Sequence, residues 1–189
     1  MSRLTGNSSR ERTSGVIEPL GDLTLGGLLL LLGLGAGMVL VSEAFRFSLG
    51  LPGHHGLETM ALLATARLSS NYRWAATIAA ISAAVTATAV GAGHGGLVPI
   101  LFLLPGLVVD LGALVVPAWR KSLLWLPLFA GLGHATKPLV KWMVLQDGTA
   151  TLGSMAHGLP YPFITHVLFG FTGALVATIA WRSWRKRSA

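Results

Sequence analysis

Leu23–Val41 reads LTLGGLLLLLGLGAGMVLV and holds no charged residue. A helix needs about 20 mostly apolar residues to cross the hydrocarbon core of a bilayer, and this stretch supplies them. Five further candidate spans follow. The second, Leu57–Ser70, is short and begins at the polar string GHHG; the third, Trp74–Val90, is rich in Ala and Thr. Leu97–Pro117, Ser122–Leu145 and Pro160–Trp181 complete the set, and no soluble domain separates them. The expected fold class is all-α, a polytopic membrane bundle of about six transmembrane helices. The rival is a four-span arrangement without the second and third segments. Residues 1–22 read as a disordered cytoplasmic leader, 23–182 as the transmembrane domain and 183–189 as a basic cytoplasmic tail.

Composition agrees with this reading. Hydrophobic residues make up 52% of the 189-residue chain and charged residues only 11%, against about 25% in soluble domains. The 24 glycines fit helices whose backbones approach closely in a membrane. With no cysteine, disulfides, thiolate metal sites, iron–sulfur clusters and cysteine nucleophiles are excluded. The net charge of +7 reads as orientation and lipid contact, not as nucleic-acid binding. Ahead of the first span, the polar leader lacks the short apolar core and cleavage site of a signal peptide.

The basic residues set an orientation. With the N-terminus in the cytoplasm and six spans, Arg3, Arg10, Arg12, Arg67, Arg73, Arg120, Lys121, Arg182, Arg185, Lys186 and Arg187 fall inside. Arg46, Lys137 and Lys141 fall outside or in the outer half. The bias follows the positive-inside rule and places both termini in the cytoplasm. The expected location is a bacterial plasma membrane.

The same topology sorts the histidines. His54 and His55 lie in the first external loop, His94 in the second and His157 in the third. His166 is in the outer part of the sixth span and His134 near the middle of the fifth. In the fifth span His134, Lys137 and Lys141 are spaced i, i+3, i+7 and share one helical face. Ionisable groups at this depth are candidates for function. They read either as a cationic wall for an anionic group, or as a snorkelling Lys141 beside a Lys137 paired with a carboxylate. Pro138 lacks an N–H and frees a carbonyl near Gly133 or His134, a break tolerated where helices line a cavity. The candidate carboxylates are Asp110, deep in the fourth span, with Glu58 and Glu43. Asp110 pairs with Lys137 or bonds His134 in one reading. Glu58 either binds ligand or complements a helix dipole.

LPGHHGLE, Leu51–Glu58, bends the chain on both sides of two histidines. It reads better as a loop lining an external pocket than as a metal site, because adjacent helical histidines diverge. The metal assignment stays unknown. All six tryptophans, Trp74, Trp119, Trp125, Trp142, Trp181 and Trp184, lie near span ends as an interfacial belt. Trp142 and Tyr161 also lie near the external vestibule, where they suit stacking on a flat ligand. Small-residue spacings mark helix contacts: Gly33 and Gly37; Ala75, Ala79, Ala83 and Ala87; Ala76, Ala80 and Ala84; Gly170 and Ala174; Gly173 and Ala177.

A compact chain of six spans with basic ends and a polar external side resembles the substrate-binding S components of energy-coupling-factor (ECF) transporters. PGLVVDLGAL (Pro105–Leu114) and FGFTGALVATIAWR (Phe169–Arg182) are similar to that family's fourth and sixth helices. The resemblance implies a non-enzymatic micronutrient binder for a vitamin, a vitamin precursor or a metal ion, with no resident cofactor. It implies an external pocket, a transmembrane coupling subunit and two cytoplasmic ATPases as partners. The family's first helix carries an alanine-spaced docking motif. Here Gly33 and Gly37 hold that spacing and the alanine rows sit in the third span. No G-x-x-x-x-G-K-[ST] string occurs, so this chain has no P-loop of its own. The substrate-binding residues expected are His134, Lys137, Lys141, Asp110, His54, His55, Glu58, His94, His166 and Trp142. The alternatives are a structural or assembly subunit of a membrane complex, and a b-type haem redox protein using His134 and His166.

Overall fold

The computed structural model describes residues 23–44, 51–92, 95–144 and 158–188. Over these residues the protein is all-α. The helices are α1 (Leu25–Ala44), α2 (Gly56–Ser69), α3 (Ala75–Ala89), α4 (Val98–Val115), α5 (Trp125–Val144) and α6 (Pro160–Arg187). Single 3-10 turns lead into α4 and follow it, at Gly95–Leu97 and Pro117–Arg120. The leader expected at 1–22, together with His94 and His157, lies outside the described residues. Helix α6 runs on to Arg187, so most of the segment read from sequence as a basic tail is helical. Its last turn carries Arg185, Lys186 and Arg187, where cations complement the helix dipole.

Three helices, α1, α4 and α6, are long and apolar enough to cross a membrane. Helix α5 matches α1 in length at 20 residues but carries Lys137 and Lys141. Helices α2 and α3, at 14 and 15 residues, span only about 21 and 22 Å at 1.5 Å per residue.

The packing order explains how short helices persist. The helices form a ring: α1 meets α3, α3 meets α4, α4 meets α5, α5 meets α6, α6 meets α2, and α2 meets α1. Helix α2 also touches α3, α4 and α5, so all five other helices shield it.

Small residues bring these helices together. In an apolar solvent, association rests on close packing more than on removing apolar surface from water. The alanine rows of α3 are buried inside the chain's own bundle: Ala75, Ala76, Ala79, Ala80, Ala83, Ala84 and Ala87 are all covered. A side chain at Gly35 would collide with the Ala79 carbonyl, and one at Gly173 with the Leu57 carbonyl. The contact glycine of α1 is therefore Gly35. Side chains at Gly33 and Gly37 would meet nothing within 4 Å, so the pair marked by the sequence lies on the helix's open face.

Substituting Gly35→Leu or Gly173→Leu should lower stability by about 1–3 kcal/mol or more through overpacking, while Gly33→Leu should leave it unchanged. Thermal melts of the detergent-purified variants measure this; equal melting temperatures for the three would contradict the assigned packing.

Candidate functional site

The bundle has two polar ends, built differently. At one end lie the α2–α3 turn, the α4–α5 connection and the end of α6. Arg120 Nη2 donates to the Ser70 carbonyl at 2.7 Å, and Arg182 Nη2 to the Arg120 carbonyl at 2.9 Å. Here Asp110 is fully buried. Its Oδ1 accepts from the Ala76 N–H at 3.2 Å. Its Oδ2 accepts from the Thr77 N–H at 2.7 Å and the Thr77 hydroxyl at 2.8 Å. Trp74, at the N-cap of α3, provides no side-chain cap. Asp110 therefore caps α3 from a neighbouring helix, accepting from the N–H groups that an N-cap side chain ordinarily serves.

The charge on Asp110 is met by Arg67, with Nε 3.3 Å from Oδ1. This is an ion pair without hydrogen-bond alignment, since Arg67 Nε has no hydrogen-bond partner. The Nη1 group of Arg67 donates to the Ser70 and Tyr72 carbonyls, each at 3.2 Å. The guanidinium lies 4.8 Å from the centroid of the Trp119 ring, and Arg120 lies 4.7 Å from the same ring. Trp119 is buried, with both guanidiniums in cation–π range of its ring. The structure does not bring Asp110 to Lys137 or His134.

The other end gathers the histidines. The segment 51–55 enters α2, and Gly53 adopts φ +82 against the ring of His166. The Gly53 carbonyl accepts from His134 Nε2 at 3.2 Å. The imidazoles of His134 and His166 stack with centroids 4.8 Å apart. His166 Nδ1 donates to the Pro162 carbonyl at 2.7 Å, and His54 Nδ1 to the Leu51 carbonyl at 2.7 Å. His55 Nδ1 donates to Glu58 Oε1 at 2.6 Å, and the Ser42 hydroxyl reaches the same oxygen at 3.3 Å. The His54 and His55 rings lie 4.1 Å apart. Helices α1, α2, α5 and α6 thus converge on one cluster.

Lys137 and Lys141 extend it. The Lys137 Nζ sits 5.0 Å from the centroid of the Phe102 ring, a cation–π contact with α4. Lys137 lies within electrostatic range of Lys141 and of Glu58, and of His134 and His166. Among the described residues no carboxylate is within ion-pair distance of either lysine. Helix α5 continues unbroken through Pro138. The Thr136 hydroxyl donates to the Gly133 carbonyl at 2.7 Å, one residue before the carbonyl that Pro138 leaves without its helical partner.

Of the residues singled out by sequence, the structure groups His54, His55, Glu58, His134, His166, Lys137 and Lys141. Trp142 is exposed one residue beyond Lys141, and Asp110 belongs to the opposite end. Sequence reasoning missed Ser42 and Gly53, which serve through a hydroxyl and a carbonyl that no spacing rule marks. Among the described residues no group of three or more His, Asp or Glu could hold a metal ion. A cavity of about 390 Å³ between the end of α3 and the start of α4 is lined by residues such as Ala87, Val98 and Pro99, with no charged side chain. The charged cluster, not this cavity, is the candidate site.

The two ends should respond oppositely to mutation. Asp110→Ala strands a buried Arg67 and should cost about 3–5 kcal/mol; adding Arg67→Met should recover part of the loss. Lys137→Met removes an unmatched cation and should stabilise the protein by about 0.5–2 kcal/mol, as happens where function is held against stability. Detergent thermal melts distinguish these outcomes, and a destabilised Lys137→Met would show that the lysine is structural.

In comparisons with known proteins, no family model, curated protein or solved structure matches the chain.

Proposed function

We propose that the protein is a six-span solute-binding component of the energy-coupling-factor type, in a bacterial plasma membrane with both termini in the cytoplasm. The observation that carries this reading is the contrast between the two ends. At the Arg67 end the buried carboxylate is capped and paired. At the histidine end two half-buried lysines stand beside four imidazoles with no carboxylate in ion-pair distance among the described residues. Ionisable groups kept without partners in a membrane bundle are costly, and a ligand provides a reason to keep them.

The ring supports six crossings despite two short helices. Helix α2 is enclosed by the other five, and non-regular backbone at membrane depth is tolerated where protein surrounds it. The solute pocket lies at the histidine end, on the external side in this topology. The solute is a vitamin, a vitamin precursor or a metal ion. Partners are a transmembrane coupling subunit and two ATPases. The open face of α1 at Gly33 and Gly37 gives a coupling subunit room for close helix approach.

The stacked pair of His134 and His166 is a poor haem site. With their rings stacked 4.8 Å apart, the two leave no space for a porphyrin between them.

Native mass spectrometry of the protein purified in mild detergent from its own host tests the reading. We expect a bound small molecule or ion, released on denaturation and absent from His134→Ala. A bare wild-type chain would overturn the solute-binding reading in favour of a structural subunit, and a haem mass with a visible absorption band would replace it with a redox one.

A further inference from the structure

Each described histidine at the site has one nitrogen committed to an oxygen that can only accept. His54 donates to Leu51, His134 to Gly53 and His166 to Pro162, all through backbone carbonyls. His55 donates to the Glu58 carboxylate. A neutral imidazole carries one N–H and one lone pair. In neutral rings the three carbonyl bonds therefore fix three tautomers and leave three acceptor nitrogens: His54 Nε2, His134 Nδ1 and His166 Nε2. Two of them, His54 Nε2 and His134 Nδ1, are buried and have no partner, and the His134 residue is only 1% exposed. A buried acceptor left unmade is costly, so an incoming N–H or O–H that satisfies it contributes to binding.

The charges decide what else the ligand carries. Lys137 and Lys141 lie one turn apart, and Glu58, the carboxylate in electrostatic range of Lys137, already accepts from His55 and Ser42. Their positive field disfavours a free divalent cation and favours an acid group. The described residues also provide no set of three metal ligands.

We infer that the site takes an organic anion, held by a carboxylate or phosphate at Lys137 and Lys141, that carries its own N–H or O–H groups to the lone pairs of the histidine cluster. The inference rests on the solute-binding reading and narrows it to one chemical class. The lysines select the charge, and the fixed tautomers select against analogues lacking donors. A site built to pair a donor rejects the donorless analogue strongly, because its own acceptor is then left buried and bare.

The test uses the full chain in detergent and isothermal titration calorimetry. The probes are small carboxylic and phosphoric acids bearing N–H or O–H groups, each beside its neutral amide or ester and its N- or O-methylated form. Ni²⁺ and Zn²⁺ alone are titrated in parallel. An acid of this class should bind about tenfold or more tightly over both of its counterparts, in line with a charged hydrogen bond worth about 1.5–3 kcal/mol. Lys137→Met should erase the preference for acid over amide, and Lys137→Arg should restore it. His54→Phe should erase the preference over the methylated form while leaving the acid preference in place. Tight binding of a neutral probe, or of Ni²⁺ or Zn²⁺ unaffected by Lys137→Met, overturns this inference and leaves the solute-binding reading standing. No binding by any probe, with a bare chain in the native mass spectrum, overturns both.

Discussion

The fold depends on how one carboxylate is held in an apolar bundle. Asp110 has no access to solvent, and a lone charge there is costly unless it is paired and hydrogen-bonded. It meets that demand by accepting from the first turn of α3 and pairing with Arg67 of α2. One side chain of α4 thereby fixes the start of one helix and the end of another. Arg67 continues the network into the α2–α3 turn, and the Trp119 ring packs against its guanidinium and that of Arg120. The arrangement fixes the register of three helices at one end of the ring.

Small residues then decide how closely the helices lie along their length. Gly35 against Ala79, Gly106 against Ala76 and Ala80, and Gly173 against Leu57 are approaches that no larger side chain allows. Gly56 and Gly170 do the same around His134, so that a large polar ring fits among α2, α5 and α6. The tight crossing and the buried histidine are one feature: the glycines make the space that the imidazole fills. The pinned end and the cluster at the opposite end are thus joined by closely packed helices, and the frame at the pinned end does not rely on the two lysines of the cluster.

Much of the frame was legible in the sequence. The apolar segments predict all six helices, with boundaries displaced by only a few residues apart from the extension of α6. For α1, α4 and α6 that legibility follows from the length and uniform apolarity a membrane helix needs. The gathering of His54, His55, His134 and His166 was legible from the alternation of segments, because successive helices that run in opposite directions bring alternate connections to one end. The partner of Asp110 was not legible. Its contacts are backbone N–H groups more than 30 residues away, and a backbone donor leaves no trace in residue identity. Arg67 was counted only among the cytoplasmic-side charges for the same reason: its burial beside Trp119 is a tertiary property. Gly33 and Gly37 looked like the contact pair of α1 because spacing alone does not say which helical face is covered. His94 and His157, both expected near the cluster, lie outside the described residues.

The account turns on the two polar ends facing opposite sides of a membrane. The chain has no cysteine, so single cysteines report location without background. Asn71 and Val90 are exposed at the two ends of α3. Labelling Asn71→Cys and Val90→Cys with a membrane-impermeant maleimide, in intact cells and then in permeabilised ones, asks whether α2 and α3 cross. The six-span account predicts labelling of Val90→Cys in intact cells and of Asn71→Cys only after permeabilisation. Labelling of both positions from the same side would mean that α2 and α3 do not cross, and would contradict it.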